Sequence, residues 1–372
     1  MPYLKGLNAL RFFAALLVLV GHARNDLASL GVSNTNWFCL HRGVDAVQFF
    51  FTLSGFLLTY LSLHQVEKQG AFNIKQFYLN RVLRIWPLYY LCVLVGFITL
   101  GWLLPAYLHT HFLAFTINEG LPWYLFFLPN YIVAAYPFSH VGALYALWSI
   151  GVEEQFYLFF PLLVWALAKT KRPLLLLGVI TALYATFYYL NFNGVFNTGF
   201  TGTNFINTLK FHFMFTGCFF AVLYKKHQGL VQRLLPDKKL TQIILLALLA
   251  LVVFTNIPLP EAIYGPATAA LYACFIINTF SATRQLVGFN NFALTWLGSI
   301  SYGIYMFHPY LSYLFRVAMV KIPVVKSLFT AVPVAYYAGL LAITVFVAHL
   351  SYTYFESIFL RMKVGLTCNT AG

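Results

Sequence analysis

Two residues at opposite ends of one apolar run raise the first chemical question. In "LRFFAALLVLVGHARN", residues 10–25, Arg11 and His22 flank a stretch with every reason to sit in lipid. Eleven residues apart on a helix, they fall about 20° from three full turns and about 16 Å from each other, on one face. A guanidinium binds phosphate or carboxylate. An imidazole accepts or donates a proton near neutral pH. A polar seam turned toward the protein interior would use both groups; two end residues snorkelling toward the headgroups would use neither.

Four further stretches place ionisable groups where each costs about 2.5–3.5 kcal/mol at the centre of a membrane helix. "GVDAVQFFFTLSGFLLTY", residues 43–60, opens on Asp45. If the first two apolar segments form a hairpin, Asp45 lies beside His22 and would fix its tautomer and stabilise the imidazolium. As an alternative, it is a carboxylate at a helix N-terminus. Ser54-Gly55 in the same stretch suits a close helix approach. "FYLNRVLRIWPLYY", residues 77–90, sets Arg81 and Arg84 three apart, just before Trp86-Pro87. The pair is either an anion clamp for a phosphorylated cytosolic ligand or a cytoplasmic anchor with an aromatic belt. "LWSIGVEEQFYLFFP", residues 147–161, holds Glu153 and Glu154 about 100° apart on a helix. At least one should line a polar cavity or pair with an arginine. In "GSISYGIYMFHPY", residues 298–310, His308 either joins His22 or caps a helix before Pro309. In "SYTYFESIFLRMK", residues 351–363, Glu356 and Arg361 read as an end-of-helix charge pair.

Composition says what must position these groups. Hydrophobic residues make up 61% of the chain and charged residues 9%, with a mean hydropathy of +0.77. Soluble domains carry about 25% charged residues, so the chain reads as a polytopic membrane protein. The net charge of +14 fits cytoplasmic loops rich in Lys and Arg. No basic run with interleaved aromatics points to nucleic acid. Cys39, Cys92, Cys218, Cys274 and Cys368 are scattered and suggest neither a disulfide framework nor a zinc site, and no metal is expected. Residues 1–24 could pass for a secretory signal, but Arg24 and the continuing apolar segments favour a first membrane helix.

Apolar stretches occur at 7–24, 45–63, 86–104, 148–168, 173–191, 206–224, 240–257, 263–280, 297–315 and 329–355, each near the roughly 20 residues a bilayer core requires. With Lys5 and the N-terminus inside, ten crossings put the loops containing Lys68, Lys75, Arg81 and Arg84, then Lys169–Arg172, Lys225–Lys239 and Arg284, on the cytoplasmic side. Loops 105–121, 192–205 and 258–262 carry no Lys or Arg. An eleventh stretch, 122–137, is broken by Pro129-Asn130 and would invert that pattern if it crossed, so it is expected to be re-entrant or interfacial. Lys321 and Lys326 fall outside in this scheme, and nothing in the sequence explains them. The expected fold is all-α and integral to the membrane: about ten helices over residues 1–363, no appended soluble domain, and a disordered tail at 364–372.

Taken together, the quoted stretches resemble the membrane-bound acyltransferase type 3 family, which includes O-antigen and exopolysaccharide O-acetylases. The resemblance runs over essentially the whole chain. It rests on Arg11…His22, on Asp45…Ser54-Gly55-Phe56, on Phe77…Arg81…Arg84-Ile85…Pro87, on Trp148-Ser149…Glu153-Glu154-Gln155-Phe156-Tyr157, and on Ser301-Tyr302…Tyr305…His308-Pro309. It implies about ten helices and transfer of an acyl group, commonly acetyl from acetyl-CoA, to a hydroxyl of a glycan or other acceptor. It also implies that His22 is catalytic and that the arginines matter for activity. Two departures stand out. Glu356 leads into Ser357-Ile358 where a proline-containing segment is usual, and the C-terminal extracytoplasmic hydrolase-like domain of some members is not expected within these residues, leaving open whether a partner finishes the transfer.

The expected mechanism follows. Acetyl-CoA or another acyl-CoA docks from the cytoplasm with its phosphates near Arg81, Arg84 and Arg11. His22, oriented by Asp45 or Glu153, deprotonates the acceptor hydroxyl; Ser54, Glu154 and His308 are further site candidates. An acylated enzyme intermediate is the other route. The expected location is a bacterial inner membrane with both termini cytoplasmic, the partners being lipid, acyl-CoA and a glycan or lipid-linked glycan. A transporter or flippase of lipid-linked glycan is the rival. A purely structural or sensor protein is disfavoured, since apolar packing would serve structure better than buried charge.

Overall fold

A computed structural model describes residues 6–32, 43–109, 112–136, 141–196, 198–255, 257–281, 289 and 291–368. Lys5, Cys39 and Arg284, which entered the charge and cysteine reasoning, lie outside the described residues. All regular structure among the described residues is helical. In chain order come α1 (Leu7–Ser29), α2 (Gly43–Gln69) and α3 (Ile74–Ile98), the last continuing through a π turn (Thr99–Leu103) into α4 (Leu104–Leu108). Then follow α5 (Ile117–Leu125), α6 (Pro129–Ala135) and a 3-10 turn (Gly142–Ala146) leading into α7 (Leu147–Lys169). Next are α8 (Pro173–Phe192), α9 (Gly199–Thr208), α10 (Phe211–Lys226), α11 (Gln228–Leu234), α12 (Lys239–Phe254) and α13 (Glu261–Ser281). The chain closes with α14 (Phe292–Ser299), α15 (Ser301–Lys321), α16 (Pro323–Ala331), α17 (Pro333–Ser351), a second π turn (Tyr352–Glu356) and α18 (Ser357–Cys368).

Eight helical stretches among the described residues are long and apolar enough to cross a membrane. The expected ten is not reached for two physical reasons. The 240–257 stretch folds as the 16-residue α12, about 24 Å long against a hydrocarbon core of about 30 Å. The 297–315 stretch is split at Ile300 between α14 and α15, and α15, though 21 residues long, carries His308, Arg316, Lys321 and several tyrosines and is not apolar enough to count. The broken segment 122–137 forms parts of two short helices, α5 and α6. Between them Phe127 takes a positive φ of 57°, and neither helix is long enough to span. At the start of α5, Thr116 and Glu119 form a reciprocal capping box. The Thr116 amide and hydroxyl, both donating to the Glu119 carboxylate, hold that carboxyl below its ordinary pKa.

The chain divides into two compact units. The first comprises Met1–Leu17, Phe38–Phe72 and Gln155–Ser299. Its tightest packing is the crossing of α2 and α10. A Cβ on Gly55 would lie 2.0 Å from the Met214 carbonyl oxygen, and one on Gly217 would lie 2.2 Å from that of Thr52. Each helix thus admits the other's backbone through a glycine, the close approach expected of Ser54-Gly55. Cys218 Sγ donates to the Gly55 carbonyl at 3.5 Å across the same contact.

The second unit comprises Val18–Trp37, Asn73–Glu154 and Ile300–Gly372. Here α15 is fastened to its neighbours by tyrosine hydroxyls. Tyr302 donates to the Ile85 carbonyl (3.0 Å) and Tyr310 to that of Cys92 (2.8 Å), both on α3, while Tyr305 donates to the Ala146 carbonyl (3.1 Å). Buried phenols need such partners. On another side, Gly303 lets α15 close on Ala348 of α17.

Candidate functional site

The second unit gathers His22, Glu153, Glu154, His308, Arg81 and Arg84. His22 is half-buried on α1. Its ring centroid lies 5.1 Å from that of His308 on α15, with 71° between the planes, and 6.1 Å from that of Tyr145 in the 3-10 turn. His308 is fully buried, at 0% exposure. Its Nδ1 sits 2.7 Å from the Tyr305 carbonyl oxygen and 3.3 Å from that of Ile304. The Tyr305 hydroxyl lies 2.6 Å from Ser149 Oγ at the start of α7. Four elements, α1, α15, the 3-10 turn and the start of α7, therefore supply two imidazoles, two phenols and a hydroxyl. Of the two alternatives open for His308, the structure realises the one beside His22.

The carboxylate one turn from His22 on α1 is Asp26, whose charge acts on the imidazole. Asp26 accepts from the Ser312 and Tyr336 hydroxyls, the latter at 3.1 Å, and lies 3.6 Å from the Arg316 guanidinium. Sequence reasoning passed over Asp26 because Arg24-Asn25-Asp26 reads as the charged end of an apolar run. The helix instead continues to Ser29, with Asp26 bonded on α15 and α17. The available signal was the spacing itself, since residues four apart share a helix face.

Asp45 lies in the first unit, in a different set of contacts. Its Oδ1 accepts from the Tyr264 hydroxyl at 3.2 Å. With the Gln48 amide turned to suit its neighbours, its nitrogen donates to Asp45 at 3.1 Å and its oxygen accepts from Lys210 Nζ at 3.0 Å. Lys210 in turn stands 4.0 Å from Glu261. Arg11 and Ser54 also belong to this unit. Arg11 is half-buried and donates to Asn8 Oδ1 at 3.4 Å. Ser54 is half-buried beside the Gly55 crossing.

One turn along α7 from Ser149 stands Glu153, whose charge reaches Tyr305 and Tyr302. Glu154 Oε2 accepts from Trp86 Nε1 at 3.1 Å, while its buried Oε1 has no hydrogen bond. Arg81 folds back along α3, its guanidinium 3.6 Å from the Phe77 ring centroid and donating to the Phe77 carbonyl at 2.8 Å. Arg84 is exposed. The charge of Arg81 is felt at Glu154 and that of Arg84 at Glu356.

Glu356 departs from expectation. It is 8% exposed, closes the second π turn and accepts from Ser351 Oγ at 3.1 Å. A Cβ on Gly303 would come within 3.4 Å of its Oε1. It forms no ion pair with Arg361, because residues five apart point about 140° away from each other. Glu356 is thus an inward carboxylate, and π turns recur at functional sites. Among the described residues, no three His, Cys, Asp or Glu side chains gather as a metal site.

The arrangement suits proton transfer at a hydroxyl. An imidazole with partial access to solvent or substrate is backed by a second imidazole and a carboxylate, and flanked by hydroxyl groups that can orient a polar reactant.

The chain matches Peptidoglycan O-acetyltransferase OatA of Listeria monocytogenes at 25% identity over 330 residues, 82% of this chain and 49% of that protein. It matches a Bacillus subtilis protein named "Putative peptidoglycan O-acetyltransferase YrhL" at 25% identity over 329 residues, 82% of this chain and 48% of that one. The chain spans about half the length of these curated relatives. No solved structure matches it. The family model described as "Acyltransferase domain" covers residues 4–353, nearly the whole chain, and the chain belongs to that acyltransferase family.

Proposed function

We propose that this chain is an integral membrane O-acyltransferase that moves acetyl from cytosolic acetyl-CoA to a hydroxyl of a cell-envelope glycan. The observation that carries the reading is His22, a half-buried imidazole packed on His308 and one turn from Asp26, in a helix otherwise composed for lipid. Groups so expensive to place in a membrane are accounted for by chemistry. The names of the relatives favour a glycan acceptor, and the charge distribution of the loops favours an inner membrane with cytoplasmic termini.

In this reading Arg84, exposed on α3, meets the donor's phosphates, with Arg81 one turn earlier as a further anion contact. His22 accepts the proton of the acceptor hydroxyl as its oxygen attacks the thioester carbonyl. The carbon–sulfur bond then breaks, and the proton passes from His22 to the departing CoA thiolate. Asp26 supplies the negative charge near His22 that was first expected of Asp45. Glu153 polarises the Tyr305–Ser149 pair beside the site. Base catalysis of this kind contributes about 10²–10⁴-fold.

The test uses purified protein in nanodiscs with acetyl-labelled acetyl-CoA and a peptidoglycan oligosaccharide. Free CoA and label on the glycan are expected. No CoA release with any glycan or glycan-lipid extract would overturn the reading. Translocation of lipid-linked glycan without acetyl-CoA would replace it with the transporter.

A further inference from the structure

His308 carries an unexplained atom. Its side chain is fully buried, yet Nε2 has no hydrogen-bond partner. A buried polar atom left unpaired keeps its full desolvation cost, so such an atom calls for a reason. The other nitrogen supplies half of it. A backbone carbonyl only accepts, so Nδ1, 2.7 Å from the Tyr305 carbonyl and 3.3 Å from that of Ile304, must carry the proton. In the neutral ring, Nε2 is then a lone pair. The same tautomer logic governs a histidine that works through a neighbouring group, where the bond made by one nitrogen fixes what the other can do.

The surroundings narrow what that lone pair serves. From α1, His308 faces His22, with Asp26 one turn further on. Its own helix contributes Tyr305, whose hydroxyl is already committed to Ser149 and the Ala146 carbonyl. Ser149 also lies 3.4 Å from that carbonyl. The ring that packs directly on this imidazole from another helix is that of His22, which carries an N–H able to serve the lone pair. At 5.1 Å between centroids and 71° between planes, a rotation of the His22 ring carries an N–H onto it.

We propose that His308 is the positioning residue for His22: its Nε2 accepts the N–H of His22 and so leaves the other His22 nitrogen free to take the acceptor's proton. The relay runs from the Tyr305 carbonyl through His308 to His22, and His308 itself neither gains nor loses a proton in the cycle. The polar group backing the base is thus a second imidazole held by main chain, in a place where a buried carboxylate would have to be desolvated. This proposal rests on the acyl-transfer reading above.

The experiment compares wild type, His22→Ala, His308→Phe and His308→Gln in nanodiscs, measuring kcat, the KM for acetyl-CoA and the unfolding midpoint. His308→Phe keeps a ring of similar size without nitrogens. It should lower kcat about 100-fold and leave the donor KM within about twofold. In His308→Gln the amide N–H can bond the Tyr305 carbonyl and the amide oxygen can accept from His22, so about tenfold of the loss should return. Wild-type kcat in His308→Phe, or equal losses in Phe and Gln, would overturn the proposal while leaving His22 and the acyl-transfer reading intact. Should wild type release no CoA, the reading itself falls. Nitrogen-15 histidine NMR of the wild type then decides the tautomer independently of activity or of how His308→Phe folds, the His308 signal being assigned by its loss in His308→Gln. An Nδ1–H, Nε2-unprotonated ring is expected; an Nε2–H ring contradicts the proposal.

Discussion

Where α2 crosses α10 in the first unit, a glycine on each helix meets the other helix's backbone, and a Cβ at either would fall about 2 Å from a carbonyl oxygen. Around His22 in the second unit, the neighbours are an imidazole, phenols, a hydroxyl and a carboxylate. Both are helix contacts in a chain rich in apolar residues, and they solve different problems. In lipid no hydrophobic drive separates helix from solvent, so small residues and close packing hold helices together. Polar side chains inside that packing add cost unless they are satisfied, and in the second unit His308 Nε2 and Glu154 Oε1 are among the buried atoms with no hydrogen bond. On the proposed function, the glycine crossing is architecture and the histidine cluster is chemistry, although the first unit has a polar cluster of its own around Asp45.

The largest effect expected tests the architectural side. Gly55→Leu drives a side chain into the Met214 backbone, which cannot move aside as a flexible side chain would. Overpacking of this kind costs about 1–3 kcal/mol or more, and size-exclusion chromatography with thermal unfolding should show loss of monodisperse, cooperatively folding protein. A Gly55→Leu variant as stable as wild type would mean that the crossing is not a constraint.

On the chemical side, Asp26→Asn removes the charge acting on His22 while keeping a side chain of similar shape for Ser312 and Tyr336. It should lower kcat by about tenfold, equivalent to about 1.4 kcal/mol, with little change in unfolding. A loss of stability without a kinetic effect would move Asp26 to the architectural side. Arg84→Ala should raise the KM for acetyl-CoA by about three- to tenfold and spare kcat, as loss of uniform binding does. Steady-state kinetics with varied donor would expose the opposite pattern. Tyr264→Phe deletes one donor to Asp45 and should cost about 1 kcal/mol of stability; a large kinetic effect would draw the first unit into the chemistry. The smallest effect concerns α5. The folded pKa of Glu119 is lowered by the Thr116 donors, so the cap is fully formed above the ordinary Glu pKa of about 4.3 and weakens as pH falls through the lowered value. Hydrogen exchange at the first amides of α5 should quicken only in that acidic range.

Much of this was legible in the sequence. Composition alone demanded membrane helices, and each ionisable residue inside an apolar run announced itself by its cost. The Gly55 approach could be anticipated from small residues in mid-helix. Two kinds of information could not. Helix ends inside a membrane protein depend on whether charges find partners, and Asp26 does, which extends α1 beyond the apparent charged stop at Arg24. Pairing between distant segments depends on packing: nothing local in "GVDAVQ" or "SYTYFESIFLRMK" says that Asp45 meets Tyr264 across 219 residues, or that Glu356 turns inward on a π turn. Breaks are similarly hidden, since the interruption at Ile300 falls in a stretch whose hydropathy is continuous.

The most direct test of the central claim is acetyl transfer by His22→Ala measured beside its thermal unfolding, both in nanodiscs and against wild type. The account predicts an unfolding midpoint close to wild type with CoA release and glycan labelling reduced by at least about 10²-fold. Transfer at the wild-type rate, or loss of transfer only together with loss of the fold, would contradict it.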